Sequence, residues 1–84
     1  MNNDKIILSV YIPAEDRTVE ARVSRGMKIS SVTELLTEMI IRRESDYIPR
    51  GTVILCDRRN GAIMNPNDHI ADLGLGNGSE IIMI

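Results

Sequence analysis

The residues best able to do chemistry crowd toward the end of the chain, in "DLGLGNGSEIIMI", where Gly74, Gly76 and Gly78 fall within five positions. A glycine loop binds phosphate when a strand delivers its backbone amides to the amino end of a following helix. Here the following residues, "SEIIMI", read as a strand, and no Lys-Ser/Thr pair accompanies the glycines. Their expected role is conformational: Asn77-Gly78 is a turn dipeptide open to positive φ, and the glycines let the chain double back. Cys56 and His69 are a nucleophile and a base in principle, but Cys56 sits beside Leu55 in an apolar run with no positive helix end nearby. We read it as an inert small hydrophobe. Asp68, Asp72 and Glu80 surround turns, where Asp68 and Asp72 are expected to accept local amide hydrogen bonds rather than bind metal. No catalysis, cofactor or metal is expected. His69 is the only histidine and Cys56 the only cysteine, which excludes an internal disulfide and zinc-ligand spacing.

One loose basic grouping remains: Arg42, Arg43, Arg50, Arg58 and Arg59. The formal net charge is −2, Phe and Trp are absent, and Tyr11 and Tyr47 are the only large rings. Nucleic acid would find little to stack on, so it is not an expected partner. A solvated basic rim is the plainer reading of the whole grouping, and its further expected use, at Arg58 and Arg59 above all, is to help select a protein partner.

Positioning these residues falls to a single domain, 1–84, since a chain of 84 residues can bury only one core and hardly a deep catalytic cleft. The amino end lacks a basic leader with a long apolar run, and no apolar stretch approaches the ~18 residues of a membrane span. A cytoplasmic binding module without membrane insertion is the expectation.

"KIILSVYI" alternates with period two and is rich in β-branched residues, "PAEDR" breaks it, and "TVEARV" resumes the alternation. These predict an antiparallel hairpin. The period then changes to steps of three and four over "KISSVTELLTEMIIRR", the mark of an amphipathic helix ending near Arg43. Its start is open: Ser31 with Glu34 has capping-box spacing, yet the apolar period begins at Ile29. "ESDYIPRG" is a loop, "TVILCD" a third strand running into the turn "RRNG", "AIM" a short partner strand, and "SEIIMI" the last strand. The long connection before it is anchored by Ile70, Leu73 and Leu75.

This order predicts an α+β fold of β-grasp type, a mixed four- to five-stranded sheet with one helix packed across one face and the last strand central, parallel to the first. If Ile6, Leu8, Val10, Val53, Leu55, Ile81 and Met83 face the helix, alternation sends Ile7, Ser9, Tyr11, Ile54, Cys56, Ile82 and Ile84 to a face with nothing to cover it. Ile7, Ile54 and Ile82, with Ile84 at the edge, are expected to gather there as a patch for a protein partner or weak self-association.

Over the whole chain these residues resemble ubiquitin. "TVEARVSRGMKISSV" is similar to the spacing from its second strand into its helix, "YIP" to its Ile-Pro turn, and "HIADLGLGNGSEIIMI" to its run into the final strand. A narrower resemblance is to small bacterial ubiquitin-like proteins of the YukD and EsaB type, carried by the ending "DLGLGNGSEI" and by the apolar residues that close the chain. The sequence differs from that pattern in its longer "RRESDYIPRG" connection and in lacking tryptophan. The first resemblance implies that the uncovered sheet face is the binding face. The second implies a non-conjugated accessory or regulatory component of a type VII secretion system, docking on its membrane-associated ATPase or a membrane subunit. The alternative is a ubiquitin-like modifier or sulfur carrier, which the missing Gly-Gly tail disfavours.

Overall fold

The computed structural model describes residues 4–43 and 53–84, and the side chains of these except 41–43. Strand β1, Lys5–Ile12, pairs antiparallel with β2, Arg17–Ser24, placing Ile6 opposite Val23, Leu8 opposite Ala21 and Val10 opposite Val19. All six are buried, as the alternation requires. The chain reverses through residues 13–16, where the Glu15 N–H donates to the Ile12 carbonyl at 3.1 Å and Asp16 takes a left-handed φ of 49°. Aspartate is among the few residues that accept that conformation readily.

Helix α1, Ile29–Arg43, lays Ile29, Val32, Leu36 and Ile40 against the sheet, all buried, with Leu35 and Met39 partly buried at the margin. It begins where the apolar period begins, so Ser30 and Ser31 lie inside the first turn rather than before it. A distant loop caps it. The Ile29 N–H donates to the Asp68 carbonyl at 2.8 Å and the Ser30 N–H to the Pro66 carbonyl at 3.0 Å. These satisfy amides that a helix start leaves without intrahelical partners.

Strands β3, Leu55–Asp57, and β4, Glu80–Met83, complete a four-stranded sheet in the order β2-β1-β4-β3. The central β4 runs parallel to β1 and antiparallel to β3. The third strand is shorter than the apolar run "TVILCD" predicts, although Ile54 and Ile84 still exchange N–H to carbonyl hydrogen bonds of 2.9 and 3.0 Å. The partner strand expected at "AIM" is reduced to a bridge between Cys56 and Ile63. Between these elements, a 3-10 turn at Ile70–Leu73 buries Ile70, and Gly74 ends it at φ 67°. Gly78, at φ 82°, donates its N–H to the Ile7 carbonyl at 2.8 Å while the Asn77 side-chain oxygen accepts from the Ile7 N–H at 2.8 Å. The "GLGNG" loop thus sets where the last strand meets the first.

Candidate functional site: the uncovered sheet face

Because the helix occupies one face of the sheet, alternate residues of β1, β4 and β3 project from the other. Register arranges them in rows. Tyr11 stands opposite Ile82, Ile82 opposite Cys56, and Cys56 opposite Ile63, so four side chains from four segments form one line across the strands. One row along, Ile54 and Ile84 face each other through their paired backbones. Ile63 is 70% exposed, Ile84 65%, Ile7 38% and Ile54 36%. Ile82 and Tyr11 are half-buried.

Ile7 lies on the same face but apart from this group. Tyr11, not Ile7, is level with Ile82, and the next row is polar, with Ser9 opposite Glu80. Four residues of β-strand separate Ile7 from the Tyr11 row, about 13 Å at about 3.3 Å per residue. Cys56, expected among the uncovered residues, is only 6% exposed. Its small thiol stands between two larger isoleucines, Ile82 and Ile63, which hide it. Ile63 is the residue that sequence reasoning passed over. Its placement follows from tertiary pairing and not from a local sequence signal: Met64 is buried and donates its N–H to the Leu55 carbonyl, so its neighbour Ile63 turns the other way.

Charged groups border the apolar row on one side. The Arg58 guanidinium lies over the Tyr11 ring, 5.4 Å from its centre, and 3.9 Å from the Glu80 carboxylate. Tyr11 in turn donates its hydroxyl to Asp16 at 3.0 Å. That hydrogen bond, together with the charge of Asp16, raises the phenol's pKa above 10.0. Arg59 is committed elsewhere. Its guanidinium donates from Nη2 at 2.7 Å and from Nε at 3.1 Å to the carboxylate of Asp57, and its own N–H donates to the same group at 2.9 Å. Asp57 is the one buried charged residue among those described, and these bonds, the side-chain ones foremost, hold its pKa below 3.8. Arg59 is therefore a structural clasp at the end of β3, and of these two arginines it is Arg58 that overlooks the apolar row. Arg50 lies outside the described residues, as do the side chains of Arg42 and Arg43.

The other candidates for chemistry do not converge. Asp72 accepts from the His69 N–H at 3.3 Å, the local role expected of it, and lies 3.4 Å from His69 Nδ1. His69 forms a backbone bridge with Lys28, whereas Cys56 lies in β3. Among the described residues, no group of three or more His, Cys, Asp or Glu is placed to hold a metal ion. Nor is any helix there long and apolar enough to cross a membrane.

No protein-family model and no curated protein matches the sequence. Solved structures do match it. The chain is similar to one in a toluene 4-monooxygenase HD complex with the inhibitor 4-bromobenzoate, with a TM-score of 0.80, 16% identity, and 94% of this chain and 95% of that one covered. It is also similar to the EccD5 ubiquitin-like domain from Mycobacterium xenopi, with a TM-score of 0.77, 17% identity, and coverage of 95% and 92%. The ubiquitin-like domain of an Arabidopsis thaliana protein aligns with a TM-score of 0.72, 20% identity, and coverage of 95% and 76%. At these identities the likeness concerns the fold, and with the mixed four-stranded sheet and single helix it shows what that fold is: an α+β, ubiquitin-like β-grasp.

Proposed function

We propose that this chain is a non-catalytic, non-conjugated ubiquitin-like interaction module that grips a protein partner with the sheet face opposite its helix. The observation that carries the reading is the apolar line Tyr11, Ile82, Cys56 and Ile63 with Ile54 and Ile84 beside it, which no described element covers. Scattered exposed isoleucines are ordinary, but a contiguous group on one flat face is the usual form of an interface. Arg58 at its border supplies a charge that favours an acidic partner edge.

The partner we favour is the cytosolic side of a type VII secretion system, its ATPase or a membrane subunit, with this chain as an accessory or regulatory component in the cytosol. Support comes from the resemblance to YukD- and EsaB-type proteins and from the shared fold of the EccD5 ubiquitin-like domain. A second reading has its own observation. The matching chain of the toluene 4-monooxygenase HD complex has nearly this chain's length, since each covers almost all of the other. A β-grasp domain of this size is therefore compatible with service as part of an enzyme assembly.

Ile63→Asp separates the surface from the fold, because a side chain exposed this far contributes little to stability. The tagged wild type and variant would be used to capture partners from the native cytosol and membrane fractions. Secretion-system proteins held by the wild type and lost with Ile63→Asp support the favoured reading. Oxygenase-type subunits behaving so would move the assignment to the second. A partner retained equally by both proteins would refute the proposed surface.

A further inference from the structure

Strand β2 ends the sheet on the side away from β3, and its backbone shows which groups are open. On β1, Ser9 donates its N–H to Ser79 and Ile7 accepts from Gly78, so the odd-numbered residues turn their amides toward β4. The even-numbered Ile6, Leu8 and Val10 therefore bond to their partners Val23, Ala21 and Val19, and the Arg25 N–H to the Asp4 carbonyl, 2.7 Å, continues the same ladder. This leaves Thr18, Glu20, Arg22 and Ser24 facing the open edge. Ser24 is already engaged by its own turn, accepting from the Met27 N–H at 3.0 Å. Thr18, Glu20 and Arg22 have exposed side chains, and no described segment pairs with them on that side. The edge carries no proline and no bulge, two devices that commonly keep such an edge from pairing.

What it carries instead is a charge pattern. In a two-fold antiparallel pairing, outward-facing residues must meet outward-facing residues, and the registers that set one charged residue of this edge opposite another are those centred on Glu20, Ala21 or Arg22. Centred on Glu20, the strand sets Glu20 against itself; centred on Arg22, it sets arginine against arginine. Like charges directly opposite destabilise a pair. Centred on Ala21, each Glu20 stands opposite Arg22 of the other copy, twice over, with the small Ala21 side chains at the close approach between them.

We propose that two copies of this chain associate edge to edge through β2, in the register centred on Ala21, with Glu20 paired to Arg22 of the second copy on both sides of the two-fold. Glu20 and Arg22 exchange both backbone hydrogen bonds with their opposites, and the two sheets become one eight-stranded sheet. Val19, Ala21 and Val23 are already buried within each copy, so the contact gains little apolar area and is weak and salt-sensitive. It uses neither β3 nor β4, and is therefore independent of the partner surface proposed above.

The test is sedimentation of the full chain over a range of concentrations. The wild type should dimerise reversibly. Glu20→Arg and Arg22→Glu each place two like-charged pairs across the two-fold and should weaken self-association about tenfold or more. An equimolar mixture of the two variants should recover a heterodimer, two arginines against two glutamates, and the swap Glu20→Arg/Arg22→Glu should recover the homodimer. Circular dichroism and melting of each variant confirm an intact fold. A wild type monomeric up to about 1 mM, either single variant associating like the wild type, or a mixture that stays monomeric would overturn the proposal; the first would leave the edge to a foreign extended segment.

Discussion

Ile7 and Ile54 offer a matched pair for testing the sheet-face interface, because they are 38% and 36% exposed on the same face yet stand in different neighbourhoods. A fully buried isoleucine stabilises by about 1.5–3 kcal/mol, so a side chain about two-thirds hidden contributes about 1–2 kcal/mol. Replacing either by aspartate should therefore cost a similar amount and lower Tm by about 5–15 °C, leaving a folded domain. Binding should distinguish them. At Ile54 a carboxylate would sit beside Ile84, inside the area the partner dries, and a loss of about 2 kcal/mol or more, roughly thirtyfold in Kd, is expected for a central interface position. At Ile7 the same carboxylate lies about 13 Å from the Tyr11 row, beyond the polar Ser9 and Glu80, and the partner should bind within about threefold of wild type. Titration calorimetry or surface plasmon resonance with the captured partner reads the difference, and thermal melts read the control. Equal losses of affinity for Ile7→Asp and Ile54→Asp would refute the grouping of residues deduced from the register. Unfolding by Ile54→Asp would mean that its side chain belongs to the core.

Leu36 is fully buried in the middle of the helix, so Leu36→Ala should cost about 2–5 kcal/mol in urea denaturation, much of the stability of so small a domain. Ser31→Ala should change stability by less than about 0.5 kcal/mol, since carbonyls of Pro66 and Asp68, not a serine side chain, meet the first helical amides. Asp57 has its folded pKa held below 3.8, so its contribution is fully present above that value and is lost as pH falls through the lower folded value; the stability gap between wild type and Asp57→Asn should narrow on acidification from about pH 5 to about pH 2. The Cys56 thiol should react with a disulfide reagent only at the rate of unfolding under native conditions, and at once in denaturant.

The sequence makes the helix and the first hairpin plain because their signals are local: alternation in "KIILSVYI" and "TVEARV", and three-four spacing from Ile29 to Ile40. The position of β4 between β1 and β3 was also legible, since the order of elements is that of a β-grasp, whose last strand lies in the centre, parallel to the first. Register between β1 and β4 was not. It depends on Asn77 and Gly78 meeting the backbone of Ile7, a contact with no local signature, and it decides that Tyr11 rather than Ile7 borders Ile82. The helix start was ambiguous for a similar reason, because its cap comes from residues 66 and 68. For the site, the choice of face could be read, while its membership changed: Ile63 enters it through a bridge that two or three residues of "AIM" do not announce.

The hydrogen bond from Ile7 to Asn77 spans 70 positions of sequence, and the central strand pair β1 and β4 depends on closures of that length. A loop of this size must be closed before the parallel ladder returns any energy, so the entropy is spent early and the reward arrives late. The hairpin of β1 and β2, with its short reversal, faces no such delay, and with α1 it can form a nucleus that waits for β4. Refolding should therefore be slower than for a helical bundle of equal length, with changes in the hairpin or Leu36 altering the folding rate and changes in β4 altering mainly the unfolding rate. Until β4 arrives, the inner edge of β1 is an unpaired row of amides flanked by isoleucines, and that interval is when the chain is most exposed to aggregation.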